Sequence, residues 1–208
     1  MKQVLLLAII ITISYSEVGY NLTGGMTYSS TTKNAFDGNF CIPCHKLVHV
    51  SGIRFGIEKE FTFGIIGATY LQRGYNVVYT SQESNANSED AKLLLNYVSG
   101  YIIKPFEIIN KIDLLIGGEF SYLHKGKYYY EDCILNDCES STTDIEGKDF
   151  ENMEIDRNDY GFLGGVKYNI NSKLSLVGIY YIGLADYSEI LNNKVRNRSL
   201  QIYATYSL

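Results

Sequence analysis

Four cysteines and a neighbouring histidine are the residues whose types and spacing point most directly to chemistry. The segment Cys41-Ile-Pro-Cys44-His45 has the spacing of c-type haem attachment, in which two thioether bonds and an axial histidine come from one short stretch. His49 or His124 could supply a second axial ligand, and His45 with His49 could instead bind a metal ion. We favour a disulfide, because Pro43 suits a turn and a redox C-x-x-C motif lacks the strand and helix that it needs here.

The other two cysteines, Cys133 and Cys138, make the number even, which in an exported protein indicates disulfides. Local pairs, Cys41 with Cys44 and Cys133 with Cys138, are the simplest arrangement. Pairs between the two stretches would instead clasp two distant loops together. The sequence leaves both arrangements open.

The remaining polar residues assemble no catalytic motif that we can defend. Glu119 and His124 are residue types that hydrolases use, but no Ser-His-acid arrangement stands at a strand end. We interpret Glu119 as an interior carboxylate and His124 as a rim residue. The sequence therefore predicts neither catalytic residues nor a cofactor.

A strongly acidic stretch spans residues 124–157. Carboxylates are ligands that Ca²⁺ prefers, but the stretch lacks an ordered D-x-D-x-D-G pattern, so we interpret it as a solvated, mobile loop and predict no metal site. Its acidic residues are Glu131, Asp132, Asp137, Glu139, Asp144, Glu146, Asp149, Glu151, Glu154 and Asp156.

Composition favours a sheet-rich exported protein. The 208 residues include 19 Tyr, 19 Gly, 2 Pro and no Trp, and aromatic residues favour strands while glycine serves turns. The net charge of −5 argues against a nucleic-acid partner, which would need a basic surface. Residues 1–16 have one lysine, a short apolar core and small residues up to Ser16, which predicts a signal peptide cleaved near Ser16 before a mature chain of residues 17–208.

The elements that must position these residues are strands. Residues 198–208 alternate strictly: Leu200, Ile202, Ala204, Tyr206 and Leu208 are apolar, and mostly polar residues stand between them. The same alternation recurs along the chain and predicts eight strands. Their ranges are 18–29, 48–59, 61–75, 94–104, 112–123, 158–169, 173–184 and 198–208. Lys59-Glu60 and residues 105–111 are predicted turns, and residues 81–90 are a predicted exposed loop. On the third strand, the apolar face is predicted to carry Phe61, Phe63, Ile65 and Leu71.

Long and short connections alternate between these strands, which predicts short turns at one rim and long loops at the other. We therefore expect an all-β fold: a closed, antiparallel, eight-stranded, up-and-down transmembrane β-barrel with short periplasmic turns and long extracellular loops. A spanning barrel points its apolar residues to lipid, so the charged residues on the opposite face of the strands should point inward. Asp159 and Lys173 are among them. The predicted lumen charge network consists of Arg54, Glu58, Asp113, Glu119 and Lys167. The alternative is a soluble, lipocalin-like ligand-binding barrel with the opposite orientation.

Five glycine- and aromatic-rich segments resemble the outer-membrane β-barrel domain family common in Bacteroidota, the PorT-like and OmpA/OmpX-like barrels. They are SGIRFGI (51–57), GIIGATYLQRG (64–74), LLIGGEF (114–120), DYGFLGGVKY (159–168) and YYIGLAD (180–186). Family members often carry a Leu-Glu-Ile-Pro-like run in strand four and a terminal Phe, whereas this chain has Val98-Ser-Gly-Tyr-Ile102 and ends in Tyr206-Ser-Leu208.

The resemblance implies a non-enzymatic protein of the bacterial outer membrane with a plugged, polar lumen and long surface loops. Its task would be envelope structure, adhesion or support of secretion. Expected partners are outer-membrane lipid and the barrel-insertion machinery, with no nucleic acid, and we expect a monomer. The alternative is a haem- or metal-carrying surface protein that uses the Cys41–His45 segment.

Overall fold

Strands make up nearly all of the computed structural model, which describes residues 19–31, 45–80, 87–134, 137–152, 155–186, 188–190 and 193–208. The strands are β1 (Tyr20–Thr31), β2 (His45–Val48), β3 (Val50–Phe61), β4 (Gly64–Thr80), β5 (Asn87–Ile109), β6 (Ile112–Ile134), β7 (Asp137–Ile145), β8 (Asn158–Asn169), β9 (Leu174–Gly183), β10 (Ser188–Ile190), β11 (Asn193–Val195) and β12 (Asn197–Ser207). A short helix, α1, covers Asp149–Asn152. Within the described ranges, no helix is long and apolar enough to cross a membrane.

Eight of these strands form a closed antiparallel barrel in the order β1-β3-β4-β5-β6-β8-β9-β12, and β12 pairs with β1 to complete the ring. Each strand pairs with the barrel strand before and after it in sequence, so the up-and-down topology predicted from the sequence is confirmed. Short connections alternate with long ones, and the long ones carry β2, β7 and the β10–β11 hairpin.

Side chains alternate between the outside and the inside of the ring. Ile53, Phe55 and Ile57 are 51%, 53% and 50% exposed, whereas Arg54 between them is only 3% exposed. The same holds in the last strand, where Ile202 is half-exposed and Gln201 is fully buried. This is the opposite of the orientation expected for a soluble, lipocalin-like barrel, in which the apolar row would be inside.

Two predicted turns were wrong by a few residues because strands continue through them. Lys59 and Glu60 belong to β3, and the turn is at Thr62 and Phe63. The stretch from Pro105 was also predicted as a turn, but β5 runs on to Ile109 and the chain reverses at Asn110 and Lys111. Lys111 has a φ of 75°, the left-handed conformation that such tight turns require.

The predicted facing of the third strand was also wrong. The alternation in the sequence predicts Ile65 and Leu71 on the outer face, but both are buried in the interior, while Phe63 and Ile66 are exposed. On β3 the odd-numbered side chains point outward, whereas after the two-residue turn the even-numbered side chains of β4 do. Because Ile65 and Ile66 are both apolar, the sequence does not show this change.

The largest departure concerns residues 124–157, which were predicted to be a mobile acidic loop. Instead, β6 continues to Ile134, pairs with β7, and is followed by α1, whose Phe150 is fully buried. Five strand segments form a sheet beyond the barrel, in the order β2-β4-β5-β6-β7. They are β2, residues 74–80 of β4, residues 87–95 of β5, residues 126–134 of β6, and β7. We call this the outer sheet. The predicted loop at residues 81–90 likewise gives way to strand at Asn87.

The barrel wall has one interrupted ladder among the described strands. β2 pairs with β4 up to Val48 opposite Asn76, and β3 pairs with β4 only from Arg54 opposite Leu71 onward. Side chains fill the interval. The Ile53 N–H donates to Gln72 Oε1 at 3.2 Å, the Gly74 N–H donates to Ser29 Oγ at 2.9 Å, and Thr27 Oγ1 donates to the Gln72 carbonyl.

Glycine is required where a ring lies flat on the inside of the wall. Gly67 is paired with Tyr101, and a Cβ on Gly67 would lie 2.2 Å from the Tyr101 ring. Tyr101 is itself 4% exposed and donates a hydrogen bond to Glu58 at 2.8 Å, so the ring has little freedom to move.

We predict that Gly67→Ala destabilises the barrel by about 1–3 kcal/mol, because the added methyl overpacks the interior against a fixed ring. The matched control is Gly100→Ala, on the outer face of β5, where a Cβ meets nothing within 4 Å and stability should stay unchanged. Urea unfolding in detergent measures both, and equal midpoints for the two variants would contradict the close packing.

Candidate functional site: the charged interior and the outer sheet

The barrel interior holds a balanced set of buried charges. Three cations, Arg54, Arg73 and Lys167, and three anions, Glu58, Glu119 and Asp159, are each no more than 9% exposed. Buried charges are costly unless each is paired and hydrogen-bonded, so their partners decide how the interior is held together.

Arg73 on β4 is the centre of the largest polar cluster. Its guanidinium is fully buried, Nη2 lies 2.5 Å from Glu119 Oε1, and Nη1 lies 3.3 Å from Asp159 Oδ2. The guanidinium also stacks 3.7 Å from the centroid of the Tyr181 ring. The strands β4, β6, β8 and β9 are thereby joined across the inside of the ring.

The two carboxylates have further donors. Ser121 Oγ donates to Glu119 at 2.8 Å, and Tyr181 donates to Asp159 at 2.7 Å. The Asn197 amide donates to Asp159 at 2.9 Å and to the Tyr97 hydroxyl at 3.2 Å. The charged groups of the cluster are therefore hydrogen-bonded, whereas the buried Asn197 Oδ1 has no partner among the described residues.

Arg54 forms a second cluster, closer to the short-turn end. Its guanidinium lies 3.7 Å from the centroid of the Tyr203 ring and donates to Gln201 Oε1 at 2.8 Å. The Tyr101 ring is 5.2 Å away, and its hydroxyl donates to Glu58. Arg54 and Glu58 thus belong to one group through the tyrosine between them.

The short-turn mouth holds the other two predicted network residues. Lys167 Nζ lies 3.5 Å from Glu60 Oε2, and the Asn169 amide donates to Asp113 Oδ2 at 3.1 Å. Both pairs line an open polar cleft of about 440 Å³, as does Lys173 in the adjacent turn. The five predicted residues are therefore spread over three groups along the interior and do not form one network.

Apolar side chains form a cluster at the long-loop end of the barrel. Phe150 of α1 is fully buried, and together with Ile145 and Ile155 it packs onto side chains from three barrel strands, so the interior is mixed and not wholly polar as the sequence suggested. We call this group the outer cluster; it consists of Leu71, Leu93, Leu95, Tyr97, Leu123, Ile145, Phe150 and Ile155.

The outer sheet is polar on its outward face. Lys125 Nζ lies 2.5 Å from Glu146 Oε1 and Lys127 Nζ lies 3.6 Å from Asp144 Oδ1, both pairs being exposed. The hydrogen bond and charge of Glu146 raise the pKa of Lys125. A disulfide joins Cys133 and Cys138, which face each other across β6 and β7, so one of the two local pairs is present.

The residues considered for haem or metal binding are only partly described. Cys41 and Cys44 lie outside the described residues, and their pairing stays a prediction. His49 is exposed and stacks on Tyr28 with 4.6 Å between ring centroids. Glu131, Cys133 and Cys138 lie close enough together to bind an ion, but the disulfide takes up both sulfurs, so Glu131 is the one ligand of these three that stays available.

Comparison with known proteins gives a likeness in fold without a likeness in sequence. No protein-family model matches the chain, and no curated protein matches it either. Neisserial surface protein A has 11% sequence identity, with 91% of this chain and 97% of that chain covered, at a TM-score of 0.53. The chain has the fold of an outer-membrane β-barrel.

Two further solved structures match with lower scores. Ail, the attachment invasion locus protein of Yersinia pestis, has 12% identity and a TM-score of 0.44, with 93% of this chain and 100% of that chain covered. Outer Membrane Protein W of E. coli has 11% identity and a TM-score of 0.43, with the same coverage.

Sequence reasoning missed the most connected interior residue. Arg73 escaped because the third strand was assigned the wrong facing, which placed every odd-numbered residue from Ile65 onward on the outside. The signal was present: a lone arginine on a strand whose opposite face carries Ile66, Ala68 and Tyr70 cannot face an apolar exterior without a partner.

We predict that Arg73→Met destabilises the barrel by about 3–5 kcal/mol, because Glu119 and Asp159 would remain buried without their cation. The control is Lys125→Met, which breaks an exposed ion pair and should leave the unfolding midpoint unchanged. Adding Glu119→Gln and Asp159→Asn to Arg73→Met should restore much of the loss. Urea titration measures all three, and a wild-type midpoint for Arg73→Met would refute a supporting role for the cluster.

Proposed function

We propose that the chain is an outer-membrane barrel that keeps its interior closed and displays the outer sheet to the surroundings as an adhesion surface. The observation that carries the membrane part is the apolar exterior: all eight barrel strands expose large apolar side chains, while the buried charges apart from Lys59 face inward. In water such a surface would drive aggregation, whereas in hydrocarbon it is the favoured arrangement.

The apolar exterior also has a clear boundary, which supports the proposed topology. On β6 the outward side chains are apolar up to Tyr122, and from His124 onward they include exposed Lys125 and Lys127. His124 is the extra residue of a bulge between β5 and β6, so the wall bends where its outer surface turns polar. The barrel thus lies in the lipid and the outer sheet lies outside it.

Strand length supports a display function. β5 and β6 each have 23 residues, whereas a tilted strand crosses a membrane in about 9–11 residues. The excess is built into a sheet with its own apolar cluster, ion pairs and disulfide, which holds a defined surface away from the lipid. Binding by this surface, without catalysis, is the task that we propose.

The finer family assignment belongs to the same proposal. The glycine-rich segments GIIGATYLQRG and DYGFLGGVKY support a place among the PorT-like and OmpA/OmpX-like barrels of Bacteroidota. Export by a signal peptide of residues 1–16, which lie outside the described residues, is proposed with it. So are insertion by the barrel-insertion machinery and a monomeric state.

Membrane insertion is tested with tryptophan, because the wild-type chain has none. Phe162→Trp places the reporter on the outer face in the middle of β8, and Phe63→Trp places it at a short turn; these phenylalanines are 62% and 54% exposed. In vesicles of brominated phospholipid we expect the first to be quenched most by bromine deep in the acyl chains and the second by bromine near the headgroups. A soluble barrel would show quenching at neither position.

A closed interior should pass no steady ion current when the purified protein is inserted into a planar bilayer. Arg73, Arg54 and the outer cluster lie at successive levels of the ring, and this filling supports a closed interior. Stable, single-channel steps with the wild-type protein would contradict this part of the proposal.

The role of the outer sheet is tested by shortening the β6–β7 hairpin. Joining Lys127 to Asp144 through an Asn-Gly turn removes the hairpin tip and keeps the barrel. Cells with the shortened protein should lose adhesion while membrane insertion and resistance to detergent stay at wild-type levels. If only complete deletion of the protein has an effect, and that effect is detergent sensitivity, the task is envelope support and not adhesion.

A further inference from the structure

A shallow polar depression lies on the outward face of the outer sheet. It has a volume of about 280 Å³ and is lined mainly by Lys92 of β5, Tyr129 and Glu131 of β6, and Ser140 and Thr142 of β7. The opposite face of these strands packs onto the outer cluster, so the depression faces the surroundings and not the protein. Pockets that enclose drug-sized ligands have volumes of roughly 300–1,000 Å³, so this one suits a ligand of a single ring.

The strand register holds these side chains next to one another. Lys92 is paired with Tyr129 and Tyr129 with Thr142, so the three form one row across three strands. Glu131 and Ser140 are paired in the next row. Residues directly opposite each other in antiparallel strands, and residues two apart along one strand, lie on the same face, so the five side chains surround one spot.

The disulfide fixes this arrangement from the tip of the hairpin. Cys133 and Cys138 are paired one row beyond Glu131 and Ser140, on the same face. A slip of β7 by one residue would turn Ser140 and Thr142 to the other face, and the covalent bond between the strands opposes such a slip. The depression therefore keeps its shape before any ligand arrives, which lowers the cost of binding.

An aromatic ring and two hydroxyls make up the uncharged part of the lining. The Lys92 ammonium lies 5.5 Å from the centroid of the Tyr129 ring and restrains the position of that ring. Ser140 and Thr142 are exposed, and their hydroxyls have no hydrogen-bond partner in the part of the chain that the structure describes. Each hydroxyl can both donate and accept.

The charges of the depression are balanced. Glu131 has an exposed carboxylate whose Oε1 lies 4.0 Å from Cys133 Sγ, and because a disulfide sulfur has no proton to donate, this carboxylate remains able to accept hydrogen bonds. Lys92 is the cation of the lining. A ligand with a net charge would meet a like charge here, whereas a neutral ligand with many hydroxyls finds both donors and acceptors.

We propose that this depression binds one neutral sugar ring of a glycan. The inference rests on the proposed display function and names the chemical class of its partner. The C–H face of a sugar ring packs on the Tyr129 ring, while the sugar hydroxyls donate to Glu131 and exchange hydrogen bonds with Ser140 and Thr142. An apolar peptide side chain would instead strip water from these polar groups without replacing their hydrogen bonds.

Glycan binding is measured with the full chain in lipid nanodiscs. The array carries neutral oligosaccharides of glucose, galactose, mannose and their N-acetylated forms, together with sialylated and sulfated counterparts. We expect the wild-type protein to bind at least one neutral oligosaccharide and to bind its charged counterparts more weakly. Tyr129→Ala should lower the binding by about tenfold because it removes the ring, whereas Tyr129→Phe keeps the ring and should bind like the wild type.

The control variant lies on the same strand and the same face. Lys127 is exposed and its Nζ lies 3.6 Å from Asp144 Oδ1, so Lys127→Met removes a charge outside the depression and should leave binding unchanged. Glu131→Gln should lower binding by about fivefold, because an amide accepts hydrogen bonds less strongly than a carboxylate. Thiol labelling of the unfolded variants shows whether the disulfide has formed and the hairpin is intact; Tyr129→Leu replaces Tyr129→Ala if it has not.

The proposal is overturned if the wild type binds no neutral oligosaccharide, if charged counterparts bind more tightly, if Tyr129→Ala binds like the wild type, or if Lys127→Met loses binding equally. Normal adhesion by cells with Tyr129→Ala, beside lost adhesion with the shortened β6–β7 hairpin, rejects only this site. Normal adhesion with the shortened hairpin rejects the display function itself, whatever the array shows.

Discussion

The hydrogen-bonded ladder that closes between β1 and β12 is the constraint on which the rest of the structure depends. It runs from Asn21 opposite Ser207 to Thr31 opposite Asn197 and leaves the ring without a free edge. A strand wall with an apolar exterior cannot expose unpaired N–H and C=O groups to lipid. Once the ring is closed, alternation sends each residue either to the exterior or to an interior only a few side chains wide.

The interior follows from that small width. Each buried charge needs a partner within reach across the ring, and aromatic rings provide part of the contact. Arg73 and Arg54 both lie 3.7 Å from the centroid of a tyrosine ring. Between and around them, apolar residues such as Ile103, Leu115 and Ile179 form a second core cluster. The resulting cross-connections tie together strands that share no ladder.

The sequence predicted most of the barrel but little of what lies outside it. Strands such as β3, β8 and β12 contrast an apolar face with a polar one, so period two alone sets their facing. β4 lacks that contrast at Ile65-Ile66 and at Tyr70-Leu71, and its facing was therefore assigned wrongly. The outer sheet was missed because β7 is rich in Ser, Thr, Asp and Glu, a composition typical of loops, and because its pairing with β6 becomes visible only in three dimensions.

The interrupted ladder between β3 and β4 makes one part of the wall different from the rest. From Val50 to Ile53 the backbone of β3 is paired with β1, its neighbour on one side of the ring. On the other side, hydrogen bonds of the Gln72 side chain and of the Thr27 and Ser29 hydroxyls replace the backbone bonds between β3 and β4. Side chains rotate more freely than a strand backbone, so this short seam opens at lower free energy than the surrounding ladder. Amide hydrogens in this seam are therefore expected to exchange with solvent before those of the β1–β12 ladder.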